Sequence, residues 1–261
     1  MAPYRTYASA FRIERTTIPD ALFWDTEDPY HYVRLQSGEA GHDFVIVGGE
    51  DHKSGTANDA AERFARLARW VRALIPELGD VAYQWSGQVL DTIDYAAFIG
   101  RNPGSQHIYV STGDSGQGMT HGVLGAMLNA NLIVDGKSRW AELYAPERKP
   151  VSATWNYLSE NVTALKNFSE YLAPGEINSM EELCPGDGAI VRQGVHKVAA
   201  YRDKTGALHQ HSAACTHIGC HLHWNSFETC WDCPCHGSMF DVDGEPLNAP
   251  AVYSLKSIEA E

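Results

Sequence analysis

The stretch CTHIGCHLHWNSFETCWDCPCHGS, from Cys215 to Ser238, holds five of the six cysteines and four of the twelve histidines of this 261-residue chain. Its frame is Cys215-x-His217, fifteen further residues, and then Cys233-x-x-His236. Cysteines crowded beside histidines predict a metal site rather than a secreted disulfide scaffold. Two thiolates and two imidazoles can hold zinc, but zinc fingers usually pair Cys with Cys and His with His along the chain, whereas each short loop here offers one of each.

The two halves of this stretch, CTHIGCHL and CPCHGSMF, resemble the two cluster loops of Rieske [2Fe–2S] proteins, and the likeness covers roughly residues 175 to 261. Six positions and both loop lengths agree. The resemblance implies that Cys215 and Cys233 bind one iron through thiolates. It implies that His217 and His236 bind the other iron through imidazoles. It also implies a disulfide, Cys220–Cys235, that joins the two loops.

The residues around these ligands bear on the reduction potential of the cluster. Replacing two thiolates by two imidazoles raises the potential above that of an all-cysteine cluster. Gly219 and Gly237 fit a close approach of the backbone. Ser238 stands where the family uses a hydroxyl hydrogen bond to a cluster sulfur, and Phe240 where high-potential members carry Tyr. Without that second hydrogen bond, we predict a potential in the lower part of the His-ligated range.

The other cysteines and histidines of this region are predicted not to be ligands. Cys230 is interpreted as a bystander thiol or as a competitor for the disulfide, and Cys184 as a buried or loop thiol. Four histidines are expected on strand faces or in loops: His209, His211, His221 and His223.

Composition narrows the classes of partner and location. A net charge of −13 argues against a nucleic-acid partner, because phosphate binding needs a basic surface. The longest apolar run, Val123 to Val134, is too short to span a bilayer. The first twenty residues lack the apolar core of a signal peptide. We therefore expect a cytoplasmic protein without a transmembrane segment.

The front of the chain alternates strand and helix patterns. Phe64, Leu67, Val71 and Leu74 follow a helical period, with Asn58 or Asp59 as its cap and Pro76 as its end. Five segments are rich in β-branched and aromatic residues and predict strands: Tyr4–Glu14, His31–Gln36, Asp43–Val47, Val81–Val89 and His107–Ser111.

A glycine-rich turn joins the last of these strands to a second helix. The segment STGDSGQGMTHG carries Gly113, Gly116 and Gly118, and Thr120 is expected to cap a helix that continues to about Ile133. Such a unit presents free backbone N–H groups and a positive helix end to a ligand. A tight turn between packed elements would show the same sequence pattern.

Five phrases of the front region resemble the C-terminal half of FAD-dependent oxidoreductases of the D-amino-acid-oxidase/glycine-oxidase superfamily. They are APYRTY, ALFWDTEDPYHYVRL, FVIVGGEDHKSG, QWSGQVLDTIDYAAFIGRNPG and YVSTGDSGQGMTHG. The chain is more closely similar to the bacterial subgroup that carries a C-terminal Rieske domain. The resemblance implies that the glycine-rich turn faces the pyrimidine end of a flavin, with contacts from Gly116, Gly118, Met119 and Thr120.

The dinucleotide-binding motif of that superfamily is missing. Members begin with a strand, a G-x-G-x-x-G turn and a helix that hold the ADP part of FAD, and residues 1 to 30 supply none of these. The segment FVIVGGEDHKSG has Gly48-Gly49 after a strand but no third glycine at the right offset, and it is interpreted as a strand and turn of the substrate-side sheet. We therefore expect the back half of a longer enzyme, with FAD in the intact enzyme but not held tightly by this chain alone.

Together these patterns predict an α+β fold, with a partial flavoprotein region at 1–150, a helical connector at 151–174 and an all-β Rieske domain at 175–261. The predicted function is electron transfer between the cluster and a flavin that oxidises a small amine or amino acid, with a redox partner protein. Arg5, Arg34, His52 and Arg101 are candidates for the substrate site, although each could equally be an exposed or capping charge.

Two other functions fit parts of the sequence. The front region could be a docking scaffold for a ferredoxin-like carrier, and flavin content would separate the two. A Rieske oxygenase needs a mononuclear iron domain after its cluster, and only 25 residues follow His236.

Overall fold

The front of the molecule is built on a five-stranded antiparallel sheet. The computed structural model describes residues 1–39, 41–148 and 166–258. The strand order is β2-β3-β4-β1-β5, so the long first strand lies between the fourth and fifth. The strands are β1 (Ala2–Glu14), β2 (Leu22–Trp24), β3 (His31–Ser37), β4 (His42–Lys53) and β5 (Val81–Asp91).

Helix α1 (Ala60–Leu74) covers one face of this sheet. Phe64, Leu67 and Val71 recur at helical spacing and are buried against strand residues such as Phe11. Leu74, predicted to continue the stripe, is 61% exposed, because the helix leaves the sheet in its last turn. The sheet and α1 together enclose the core of the front region.

Strand β4 continues through Gly48 and Gly49 to Lys53, beyond the predicted end at Val47, and the turn of the segment FVIVGGEDHKSG follows at Ser54-Gly55. Gly48 pairs with Ala8 on one side and Tyr32 on the other. A Cβ at Gly48 would collide with the Tyr32 ring, and Gly49 has a φ of 139°. The two glycines therefore allow close packing within the sheet rather than a reversal of the chain.

A hairpin and a long helix follow the sheet. The hairpin is β6 (Phe98–Arg101) and β7 (Tyr109–Thr112), and it packs on α2 (Gly118–Asp135) through Ile99 and Leu128. Gln117 occupies the N-cap position of α2, and Thr120, predicted as the cap, lies within the first turn. Gly136 ends the helix with a φ of 68°, and the short α3 (Ala141–Tyr144) follows.

The back of the molecule is a pair of small antiparallel sheets. Within 166–258, only short helical turns interrupt the strands, including the 3-10 helices Glu170–Leu172 and Met180–Glu182. The part of the predicted connector at 151–165 lies outside the described residues. One sheet has the order β10-β9-β8 and the other β11-β12-β13-β14. The strands are β8 (Asp187–Gln193), β9 (His196–Arg202), β10 (Leu208–Ser212), β11 (His223–Asn225), β12 (Cys230–Asp232), β13 (Met239–Phe240) and β14 (Pro246–Asn248).

The α+β class and the all-β character of the back region are thus as the sequence predicted. In the ranges that the structure describes, no helix is both long and apolar enough to cross a lipid bilayer.

Candidate functional site: two paired cysteine–histidine loops

Two loops of the back region have the same backbone turn. In the first loop (215–220), the Cys215 N–H donates to the Cys220 carbonyl at 2.8 Å, and the Gly219 N–H donates to the Cys215 carbonyl at 2.8 Å. In the second loop (233–238), the Cys233 N–H donates to the Ser238 carbonyl at 2.9 Å, and the Gly237 N–H to the Cys233 carbonyl at 3.0 Å. Both glycines have φ near +80°, which glycine adopts without strain.

The loops face each other and are tied together. A disulfide joins Cys220 to Cys235, with their Cα atoms 6.5 Å apart. The His217 and His236 rings meet edge to face with centroids 4.9 Å apart. His217 is exposed and His236 half-buried, whereas the thiols of Cys215 and Cys233 are at most 2% exposed. The sulfurs of Cys215 and Cys233, here called the floor of the site, therefore lie in the core. The imidazoles of His217 and His236, here called its rim, lie nearer the surface.

The floor favours a thiolate. Hydrogen bonds to Cys215 from the Cys233 thiol, the His217 amide and the Ser238 hydroxyl outweigh burial and lower the pKa of the Cys215 thiol to about 6. The same contact with Cys215 raises the pKa of Cys233, as expected of two sulfurs that share one proton. Ser238, fully buried, also accepts a hydrogen bond from the Ala251 N–H at 3.0 Å.

One ring nitrogen of His236 has no hydrogen-bond partner in the part of the chain that the structure describes and is available to a metal cluster. His236 Nδ1 is buried and has no hydrogen-bond partner among the described residues. Burial, and then the nearby His217, lowers the pKa of His236, so its ring is neutral and offers a lone pair. Two cysteine sulfurs at the back and two imidazoles in front match the unequal ligands of a [2Fe–2S] centre with His on one iron.

The other cysteines lie away from this donor set. Cys230 is fully buried in β12, where burial and then the charge of Asp232 raise its pKa and leave it an unreactive thiol. Its sulfur lies 3.6 Å from the Asp232 carboxylate and takes no part in the disulfide. Cys184 is an exposed thiol in the loop before β8, not a buried one.

The nearby histidines divide into two groups. His209 lies between the carboxylates of Asp203 and Asp243, and His211 is buried on β10. His221 and His223 lie together beside the disulfide and share a carboxylate, Glu170. The sequence placed all four on strands or in loops and gave no signal of this shared contact, because Glu170 is 51 residues before His221 in the chain.

In the front region, the glycine-rich turn stands beside an aromatic side chain. Gly113 and Gly116 have positive φ, and a Cβ on Gly116 would lie 3.8 Å from the Tyr30 hydroxyl. Burial raises the pKa of Tyr30 to about 12, so this hydroxyl stays protonated. Gly118 and Met119 begin α2, and Met119 is 89% exposed. The first N–H groups of the helix have no intrahelical acceptor and point out of its end.

We refer to the sheet face opposite α1 as the trough, and its central residues Ala8, Ala10 and Ile46 are buried. Residues directly opposite each other on neighbouring strands share a face, and here small side chains in the centre are flanked by large ones at both sides. Tyr83 is 61% and Trp85 41% exposed. Two rows of cross-strand neighbours make up this trough: Tyr32, Gly48, Ala8 and Trp85, and Arg34, Ile46, Ala10 and Tyr83.

The four charged candidates for a substrate site have different environments. Arg34 is exposed in the trough, with one hydrogen bond to Gln36 at 3.3 Å. His52 accepts from the Tyr7 hydroxyl at 3.0 Å and donates to the Lys53 carbonyl, and burial lowers its pKa to about 4. Arg101 is exposed at the end of β6. Only Arg34 lies in the trough.

Arg5, the fourth candidate, joins the two regions. Its guanidinium donates to both carboxylate oxygens of Asp232, at 3.0 and 3.1 Å, and both side chains are nearly fully buried. Phe64 of α1 also packs on Phe227 with ring centroids 4.9 Å apart. Because its guanidinium is buried in this ion pair, Arg5 is interpreted as a structural link rather than a substrate ligand.

A second link reaches the second loop itself. The Gln88 side-chain amide on β5 donates to the Gly237 carbonyl at 2.7 Å. Two residues further along β5, the Leu90 carbonyl accepts from the Ser115 N–H in the glycine-rich turn at 3.2 Å. One strand therefore contacts both candidate sites. This contact could not be predicted, because strand patterning does not report which distant loop an edge strand contacts.

Two family models match the chain. Residues 1–132 match the model described as FAD dependent oxidoreductase, and residues 174–259 match the Rieske [2Fe-2S] domain.

Known relatives include the Rieske 2Fe-2S iron-sulfur protein YhfW of Bacillus subtilis (strain 168), 29% identical over 98% of this chain and 50% of that protein. The cytochrome b6-f complex iron-sulfur subunit of Chlorobaculum thiosulfatiphilum is 32% identical over 38% of this chain and 60% of that subunit. Among solved structures, the L-proline dehydrogenase from P. horikoshii aligns with 56% of this chain and 40% of its own, at 20% identity and a TM-score of 0.45. The chain thus spans about half the length of YhfW.

Proposed function

Because the chain belongs to the FAD-dependent oxidoreductase family and carries a Rieske [2Fe–2S] domain, we propose that it couples a cluster to the oxidation of a small amine or amino acid. The front domain, at 1–150, contributes to the flavin and substrate side. The Rieske domain, at 175–261, exchanges electrons with a redox partner protein. The chain covers about half of YhfW, so we assign this function to the intact enzyme of which such a chain forms part.

Four loop residues would hold the cluster. Cys215 and Cys233 supply thiolates to one iron, and His217 and His236 supply imidazoles to the other. When bound, the cluster supplies one-electron transfer at a potential set by its mixed ligands. The exposed His217 ring places the rim where a partner protein can dock, while the buried cysteines and the disulfide hold the floor rigid.

The glycine-rich turn would hold the flavin. Gly118, Met119 and Thr120 would contribute the first amides of α2 and Gly116 the turn before it, and such a helix end favours a partly negative ligand edge. When bound, FAD supplies the two-electron oxidation of the substrate. Gly116 has no Cβ, which leaves the space beside the Tyr30 hydroxyl open to a flat ring.

The trough opposite α1 would bind the substrate. Arg34 is its cation, and a guanidinium is suited to a carboxylate such as that of an amino acid. Tyr32 stands in the neighbouring row and stacks with Tyr30, with centroids 6.5 Å apart, so the trough leads from Arg34 towards the glycine-rich turn. This arrangement favours a small amine that carries an acid group.

The observation that carries the proposal is the double contact of β5. Its Gln88 amide touches the backbone of the second loop, and its Leu90 carbonyl touches the backbone of the glycine-rich turn. A carrier domain tethered by a loose linker would not need its cluster loop packed on the flavoprotein sheet. The packing is what a direct electron path between the two sites requires.

The first test is an assay of iron, sulfide and flavin on the purified chain and on the longest natural form of the protein. We expect two irons and two sulfides in both, and flavin in the longer form. Absence of flavin from the longer form would contradict the proposal and favour a ferredoxin-like carrier with a docking scaffold.

The second test uses the flavin-containing form mixed anaerobically with glycine, sarcosine, L-proline and D-alanine as probes, while flavin and cluster absorbance are followed. We expect Gln88→Leu to slow reduction of the cluster without changing reduction of the flavin. Gln84→Leu is the matched control, because Gln84 lies on the same strand but contacts Ser9. Equal rates of cluster reduction in both variants would exclude Gln88 from the path.

A further inference from the structure

Beside the disulfide, three side chains with metal-binding atoms converge outside the two loops. They are Glu170 in a 3-10 helix, His221 directly after the disulfide and His223 at the start of β11. The Glu170 Oε2 atom lies 3.0 Å from His223 Nε2 and 3.7 Å from His221 Nδ1. One donor atom from each of the three lies within 4.8 Å of the others.

The environment of His221 indicates that these residues bind a ligand. It is 3% exposed, and neither of its ring nitrogens has a hydrogen-bond partner among the described residues. Most buried polar atoms in folded proteins have a hydrogen-bond partner, so an unpaired one needs an explanation such as an ion or a water molecule. The His221 ring packs edge to face on His223, with centroids 5.1 Å apart, so both rings border the same space.

We propose that Glu170, His221 and His223 form a binding site for one divalent transition-metal ion, separate from the four residues of the paired loops. Donor atoms 2.0–2.1 Å from a tetrahedral zinc lie about 3.3 Å from one another, close to the separations seen here. Two imidazoles and one carboxylate are a ligand set for Zn²⁺ and for non-haem Fe²⁺ that leaves a coordination position open. Glu170 and His223 are half-exposed, so that position opens to solvent.

The charge states suit this role at neutral pH. Burial, and then the charge of His223, lowers the pKa of His221 to about 4, so its imidazole is neutral and can donate a lone pair. Burial opposes ionisation of Glu170, but the contact with His223 lowers the pKa of Glu170 below its ordinary value, so it is a carboxylate. Lys166 and Lys197 also face these residues, and we therefore expect an ion that a strong chelator removes.

Asn167 fixes the site against the disulfide. Its side-chain oxygen accepts from the His221 N–H at 2.8 Å, and its amide donates to the His221 carbonyl at 3.0 Å. The same oxygen lies 3.5 Å from the Cys235 sulfur. A metal ion held by Glu170 and the two histidines would therefore pin the segment that enters the Rieske domain onto the disulfide.

The test uses chain with two irons confirmed per molecule, so that Cys215, His217, Cys233 and His236 are occupied and cannot take up zinc. After EDTA treatment and dialysis, ZnCl₂ is titrated in by calorimetry, and the thermal unfolding midpoint is measured with and without zinc. We expect one zinc per chain and a higher midpoint with zinc. Glu170→Gln and His223→Gln are each expected to weaken binding at least tenfold and to abolish the rise.

His209→Gln is the matched control and should bind zinc as the unchanged chain does. His209 also lies between carboxylates, but Asp243 and Asp203 contact its opposite ring nitrogens, at 2.7 and 3.7 Å, so its donors do not converge. An unchanged visible circular dichroism spectrum of the cluster shows that each variant is folded. No zinc bound by the unchanged chain, or equal binding in the Glu170 and His209 variants, would overturn the proposal.

Discussion

Unpartnered nitrogen atoms on buried histidines mark the chemistry of the back domain. Most buried polar atoms in a folded protein have a hydrogen-bond partner, so an exception asks for an explanation. Among the described residues, His211 Nδ1 is unpartnered and is assigned no ligand, whereas His236 Nδ1 and both ring nitrogens of His221 are exceptions that a metal would explain. We attribute the first to the proposed ligation of the cluster and the second to the metal site proposed here. Both rings have a lowered pKa, which keeps their lone pairs available.

The residue expected to tune the cluster is Phe240. It is fully buried and packs in the core that contains Cys215 and Cys233. We expect Phe240→Tyr to raise the reduction potential, because a new hydroxyl hydrogen bond stabilises the reduced, more negative cluster. A hydrogen bond is worth about 1 kcal/mol, and 59 mV is tenfold for one electron, so the expected rise is about 40 mV. A redox titration followed by the EPR signal measures it.

Phe227→Tyr is the control for that substitution, since Phe227 packs on Phe64 in the contact between the two regions and not among the cluster cysteines. Its potential should not change. A potential of the unchanged chain as high as that of respiratory Rieske proteins, or no rise in Phe240→Tyr, would remove the role assigned to Phe240.

The two cluster loops, 215–220 and 233–238, have the same backbone turn but different surroundings. Gly219 and Gly237 have nearly the same φ, 82° and 81°. A Cβ on Gly219 would meet nothing within 4 Å, whereas a Cβ on Gly237 would meet Gln88 Nε2 at 2.7 Å and the Pro3 ring at 2.8 Å. The first loop is free at this position, and the second is pressed against the flavoprotein sheet.

The two glycines therefore predict unequal effects of alanine. Gly219→Ala should lower the free energy of unfolding by about 1–2 kcal/mol, the cost of left-handed backbone at a residue with a Cβ. Gly237→Ala carries the same cost and in addition a clash with Pro3, so we expect a larger loss of stability and less iron per chain. Urea unfolding and an iron assay on both variants measure this. Equal losses would show that the contact with the sheet is not tight.

Most elements could be predicted from local sequence, and the errors have physical causes. Strand patterns located β1, β3 and β5 well, because β-branched and aromatic residues alternate there. The strand predicted over Asp43–Val47 continues through Gly48-Gly49 to Lys53, because a glycine pair also serves within a strand where a neighbouring ring needs space. The expected cap at Thr120 was wrong, because the helix begins at Gly118 without a side-chain cap. The helix predicted through Leu74 ends there, before Pro76, although the Leu74 side chain is 61% exposed.

The contact between the front and back regions could not be predicted from the sequence. Cysteine and histidine spacing along 24 residues predicts the paired loops, because those residues act locally. Arg5 and Asp232 are 227 residues apart, and each looks like one surface charge among the 20 basic and 33 acidic residues of the chain. Only the fold shows that this pair is buried and that β5 lies between the two sites.

The buried ion pair predicts how strongly the two regions are coupled. Arg5→Met leaves the Asp232 carboxylate buried with the Asn225 amide and the weaker Cys230 thiol as side-chain donors, and removing one partner of a buried pair costs about 3–5 kcal/mol. Combining Arg5→Met with Asp232→Leu removes both charges and should restore part of that loss. Urea unfolding followed by tryptophan fluorescence and by cluster absorbance gives the free energies, and a double-mutant cycle gives the coupling.

Arg69→Met is the control for that cycle, because the Arg69 and Glu62 side chains are 65% and 56% exposed in their ion pair and such surface pairs contribute about 0–1 kcal/mol. If the two regions are coupled through Arg5, its loss should also separate the fluorescence and absorbance transitions, since the sheet and the cluster domain would then unfold independently. Additive single substitutions with coincident transitions would instead mean that the Phe64–Phe227 and Gln88–Gly237 contacts hold the regions together without the ion pair.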